Sequence, residues 1–173
     1  MRGLVLVLAT FLLCALQSPF LYQASVAQYT PDLVLLVVMY VGLTSTFERG
    51  LGVVLLLGLI KDGFAMSSPL GMYMEISVLA FFVSYRLSRR LALRGPVAVL
   101  LIAAVFSLSA SVLELGLSLI FDRSLGTSEA SASLLLHSMV PQALATAPFA
   151  PVIFWLFEKL DGLVTRKNES IYL

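Results

Sequence analysis

Lys61, Asp62, Glu75, Glu114 and His137 are side chains capable of acid–base or ligand chemistry that fall within, or at the rim of, long apolar runs. Two carboxylates converging on one substrate can act as acid and base, so an enzymatic reading needs Asp62 together with Glu75 or Glu114. Chain spacing alone does not bring either pair together. A lone charge at bilayer depth costs on the order of 3 kcal/mol or more, so Asp62, Glu75, Glu114 and His137 are each expected to be paired or neutral. Lys61 and Asp62 are adjacent and point about 100° apart on a helix, so they serve different partners. For Asp62 two roles stand side by side: a polar pocket or subunit contact, and an internal tie between helices. For Glu75, Glu114 and His137 the internal tie, or snorkelling to the surface, is the simpler expectation as possible buried polar groups.

No catalytic signature accompanies these residues. There is one histidine, no H-E-x-x-H spacing, no Gly-x-Ser-x-Gly and no Walker loop, and Gly50-Leu51-Gly52 is too short a pattern to mean nucleotide. Cys14, the only cysteine, lies in an apolar run, which excludes an internal disulfide and a thiol metal cluster. The chain is therefore expected to be no enzyme and to carry no metal or cofactor.

The elements that must position these groups follow from composition. Of 173 residues, 60% are apolar and only 12% charged, with a mean hydropathy of +0.99, so the solvent for the fold is the lipid bilayer. That length accommodates about six spans of roughly 20 residues in a single transmembrane domain, 1–173. The expected fold is an all-α integral membrane protein, a bundle of six transmembrane helices.

The apolar runs and their breakers place the spans at about 3–22, 32–47, 50–66, 72–87, 96–121 and 134–157. A secretory signal peptide is the rival reading of the first, with Arg2 as its basic end and Ala24-Ser25-Val26-Ala27 as a cleavage site, but the apolar run is long for that. Pro31 suits a first helical position and Asp32 the positive helix terminus. Glu48 and Arg49 mark the water-facing end of the second span. The third contains too few apolar residues to cross without taking in Lys61 and Asp62. Gly63, Pro69 and Gly71 turn the chain before the fourth.

Basic residues fix the orientation. Arg2, the cluster Arg86, Arg89, Arg90 and Arg94, and the tail residues Lys159, Arg166 and Lys167 fall on one side only if the chain crosses six times, which puts both termini in the cytoplasm by the positive-inside rule. The same distribution explains the basic residues without nucleic acid. Small residues should let helices approach closely: Gly50, Gly52 and Gly58 on the third span, Ser107 and Ser111 on the fifth, Ala143 and Ala147 on the sixth. Pro141, Pro148 and Pro151 should kink or break the last span, and Trp155 should anchor it at the interface.

The run Pro31-Asp32-Leu33-Val34-Leu35-Leu36, then Arg49-Gly50, then Gly58-Leu59-Ile60-Lys61-Asp62-Gly63-Phe64 and Pro69-Leu70-Gly71, resembles in order and spacing the bacterial rod shape-determining protein family MreD. The arginine-rich loop and a last span ending Pro151-Val152-Ile153-Phe154-Trp155 are similar too, whereas the outer loop from Arg123 to Ser133 and the tail carry no family signature. The resemblance implies a non-enzymatic scaffold subunit of the cell-elongation, peptidoglycan-building machinery in the inner membrane. It implies binding to the transmembrane helix of MreC and, through MreC, a connection to MreB filaments, the glycan polymerase RodA and its partner transpeptidase. It also implies a fold similar to the substrate-binding components of energy-coupling-factor vitamin transporters. Carried over by position, Pro31, Asp32, Gly58, Asp62, Leu70 and Gly71 match the family pattern and are expected to be partner or pocket contacts. The alternative function is small-molecule binding as such a transporter component. Those components are similar to one another in an Ala-x-x-x-Ala contact on the first span, and Ala9 and Ala15 depart from that spacing.

Overall fold

A computed structural model describes residues 2–24, 31–64, 71–89, 96–125 and 141–169, and all of their regular structure is helical. The helices are α1 (Arg2–Ala24), α2 (Leu33–Thr44), α3 (Phe47–Phe64), α4 (Met72–Ser88), α5 (Pro96–Leu125) and α6 (Phe149–Glu169), with a short helical stretch at 141–146 leading into α6.

The sequence of α2 is apolar all round, and such a helix is expected to be enclosed, by other helices or by lipid. It is: every residue from Val34 to Gly42 is buried, and α2 packs against each of the other five helices. Its 12 residues extend only about 18 Å, well short of the roughly 30 Å of a bilayer's hydrocarbon. The start is fixed by Asp32, whose carboxylate accepts a hydrogen bond from the Leu35 N–H at 3.1 Å, so Pro31 lies one residue outside the helix. The end comes at Ser45, which turns to extended backbone while its N–H still donates to the Val41 carbonyl. Thr46 then accepts from the Gly50 N–H, so Glu48 and Arg49 sit in the first turn of α3 and not at the end of the helix before it.

Around this pillar the other helices each bury one stripe. On α1 the stripe includes Leu6 and Thr10, one turn apart, with Leu4, Leu8, Leu12 and Leu16 exposed opposite. On α5 it is Ala103, Phe106, Ser107, Ala110 and Ser111, the three-and-four spacing of a one-sided helix. Ser111 satisfies its hydroxyl on the Ser107 carbonyl, as Thr10 does on Leu6, so these buried polar groups cost little. The part of α5 from Val97 to Leu117 is, among the described residues, the one stretch long and apolar enough to cross a membrane; Arg2–Leu16 and Leu33–Thr44 are shorter apolar helices.

Close approach to α4 depends on glycine. A Cβ on Gly58 would lie 2.6 Å from Met74 Cα, a backbone atom that cannot move aside, and one on Gly42 would lie 2.5 Å from Ser84 Cβ. Gly52, by contrast, faces open space. The last element breaks where proline forces it to. Pro148 disfavours helical backbone at Ala147, the chain turns at 147–148, and the Ala150 N–H reaches back to the Ala147 carbonyl.

Contacts between helix ends sort into two layers. Arg2 at the start of α1, Thr44 at the end of α2 and Asp161 on α6 meet in one. In the other, Asp32 at the start of α2 meets Lys61 on the last turn of α3 and Thr146 ahead of α6, and Asp62 meets the start of α4. Successive helices therefore run up and down.

Candidate functional site

The second of these layers gathers most of the charge that the described residues bury or half-bury: Asp32, Lys61, Asp62 and Glu114. Lys61 and Asp62, neighbours on the last turn of α3, diverge as helical geometry requires. The Lys61 ammonium lies 2.6 Å from Asp32 Oδ2 and sits 4.2 Å from the centre of the Tyr73 ring. Asp62 turns the other way and is buried, at 6% exposure. Its Oδ2 accepts from the Gly71 N–H at 3.1 Å and the Met74 N–H at 3.3 Å, and its Oδ1 accepts from the Tyr73 N–H at 3.0 Å.

This arrangement follows from the first turn of α4. A helix start leaves backbone N–H groups without partners, and a carboxylate is their natural acceptor. Here the residue at the cap position is Gly71, whose φ of +99° suits glycine and which has no side chain to offer. Asp62, nine residues earlier, supplies the acceptor instead. Gly58 lies one turn before Asp62 on the same face, and its missing side chain is what lets α3 come close enough for that carboxylate to reach.

Tyr73 links the layer outward. Its N–H is held by Asp62, while its hydroxyl donates to Glu114 Oε1 on α5 at 2.6 Å. Asp32 has a third role, because its own N–H donates to the Thr146 hydroxyl at 2.9 Å and so fastens the start of α2 to the segment before α6. Five elements are thus joined: α2, α3, α4, α5 and the 141–146 stretch.

Of the residues singled out in the sequence, Asp32, Asp62 and Gly71 come together here, with Gly58 a turn deeper and Pro31 part-buried beside the cap. Glu114 is in the same network through Tyr73. Glu75 is not a buried polar group: it is exposed in the first turn of α4, where its charge favours the positive helix terminus without needing a buried partner. Leu70 and His137 lie outside the described residues. Sequence reasoning missed Tyr73 and Thr146, whose hydroxyls look like ordinary polar decoration on apolar helices. The one available signal was the need of buried carboxylates for donors.

Chemically, Asp32 has its two oxygens on a backbone N–H and an ammonium, both Asp62 oxygens have backbone donors, and Glu114 has a phenol. These carboxylates close one helix onto another. The opposite layer has a smaller tie: Asp161 holds Arg2 through its Oδ1 and Oδ2, at 2.9 and 2.6 Å, and accepts the Tyr40 hydroxyl at 2.7 Å.

Comparison with known proteins yields one match. The family model described as rod shape-determining protein MreD matches residues 1–160. No curated protein and no solved structure matches the chain.

Proposed function

The chain belongs to the rod shape-determining protein family MreD, and on that premise we propose that it is a non-enzymatic scaffold of the cell-elongation machinery that holds the transmembrane helix of MreC within the inner membrane. Family membership supplies the role in rod-shape determination and the membrane setting. In this reading the protein crosses the membrane six times with both termini in the cytoplasm, and it meets MreB, RodA and the partner transpeptidase through MreC.

The observation that carries the scaffold reading is the commitment of Asp32, Asp62 and Glu114 to ties between helices. Groups so engaged build a rigid frame and leave no free acid–base pair among them. What the frame offers outward is apolar surface along α1 and α5, including Leu8, Leu12, Leu101 and Val105, suited to lipid and to another apolar helix. Six crossings are supported by the alternation of helix ends between the two polar layers, which agrees with the one-sided distribution of arginine. The short α2 fits a spanning bundle because its neighbours bury it from Val34 to Gly42, so that stretch would meet protein and not lipid.

The test is co-purification. Tagged protein extracted in mild detergent should retain MreC, and Asp62→Ala should weaken that retention while replacement of the exposed Glu75 by alanine leaves it unchanged. Failure of the unaltered protein to hold MreC would remove the scaffold reading.

A further inference from the structure

At the Arg2 end, a half-open groove of about 950 Å³ runs between α1 and α3. Its walls are apolar: Leu4 and Val7 on one side, Val53 and Leu56 on the other, with Gly52 forming a notch that faces open space. Its mouth is polar, formed by Ser45, Thr46, Glu48 and Arg49. No hydrogen bond or ion pair within the described residues engages these four side chains, unlike the carboxylates of the opposite layer.

Three properties define what fits. The first is length. From Glu48 to Leu56 the lining of α3 advances about 12 Å, at 1.5 Å per residue, less than half of the hydrocarbon depth. A crossing helix needs a groove that runs through; a headgroup with the upper part of an acyl chain does not. The second is charge. Glu48 and Arg49 together sum to zero, and Arg2 is already balanced by Asp161, so among the described residues the mouth offers one uncommitted charge of each sign. The third is hydrogen bonding. The hydroxyls of Ser45 and Thr46 stand where α3 begins, and the unsatisfied N–H groups of a helix start favour a phosphate. The Glu48 carboxylate accepts hydrogen bonds, which a primary ammonium can donate and a quaternary one cannot.

We infer that the α1/α3 groove binds one zwitterionic phospholipid whose headgroup joins a phosphodiester to a primary ammonium. The phosphate lies between Arg49 and the hydroxyls at the start of α3, the ammonium on Glu48, and an acyl chain along Gly52 and Leu56. This inference rests on the helices lying in a bilayer and is independent of MreC.

Protein reconstituted in nanodiscs containing equal parts of phosphatidylethanolamine, phosphatidylcholine and phosphatidylglycerol, then released and read by native mass spectrometry, tests it. The unaltered chain should retain one phosphatidylethanolamine about tenfold over either competitor, the preference expected of one charge-assisted contact. Glu48→Gln should shift the preference toward phosphatidylglycerol, and Gly52→Leu should reduce retention of all three. Glu48 and Gly52 are exposed, and an unchanged unfolding temperature in each variant shows that the fold is intact. Equal retention of the three lipids, or undiminished retention by Gly52→Leu, overturns the inference. So does displacement of the retained lipid by added MreC transmembrane peptide, which would assign the groove to a helix. Lipid retention without MreC co-purification would count against the scaffold reading alone.

Discussion

At the Asp62 end of the bundle the described inward-facing carboxylates are all held by another helix, whereas at the Arg2 end Glu48 and Arg49 stand at a groove with no partner among the described residues. The difference follows depth. A charge that the fold buries must be satisfied by the fold itself, because nothing else reaches it. A charge at an open mouth can be left for what lies outside. The first end thus fixes the arrangement of the helices, and the second is where the molecule is free to recognise something.

The contrast is broken most severely by Asp62→Ala. It strips an acceptor from three backbone N–H groups at the start of α4, so a loss of about 3 kcal/mol is expected, read as a lower midpoint of thermal or denaturant unfolding in detergent. Next comes Gly58→Ala. A methyl forced against Met74 backbone should cost about 2 kcal/mol by the same measurement, while Gly52→Ala, with space around it, should fall within about 0.5 kcal/mol of the unaltered protein. Of the substitutions that remove a tie, the mildest is Arg2→Ala. Its side chain is 41% exposed, so loss of the Asp161 pair should cost less than about 1 kcal/mol. A loss at Arg2 equal to that at Asp62 would erase the distinction between the two ends.

Much of this frame is legible in the sequence, because breakers are local. Pro31-Asp32, Gly71 and Pro96 mark the starts of α2, α4 and α5 to within about two residues, and Pro148 marks the break before α6. The divergence of Lys61 and Asp62 follows from their adjacency alone. What could not be read was tertiary. The acceptor for the start of α4 comes from the preceding helix, which depends on how closely α3 packs through Gly58. Glu48 and Arg49 suggest the end of one helix as readily as the beginning of the next, and only the extended Ser45 decides between them. An all-apolar α2 shows no preferred face, and its burial on every side is a property of its neighbours.

That enclosure decouples α2 from the thickness of the membrane around the protein. A helix in contact with lipid must tilt, or deform the bilayer, when its apolar length and the hydrocarbon depth disagree. The Val97–Leu117 part of α5, only 28% buried, would bear that adjustment in a bilayer, while α2 is covered by protein from Val34 to Gly42. In a thicker or thinner bilayer the periphery would lean and the centre would keep its length, so the spacing between the two polar layers is set by the polypeptide and not by its lipids.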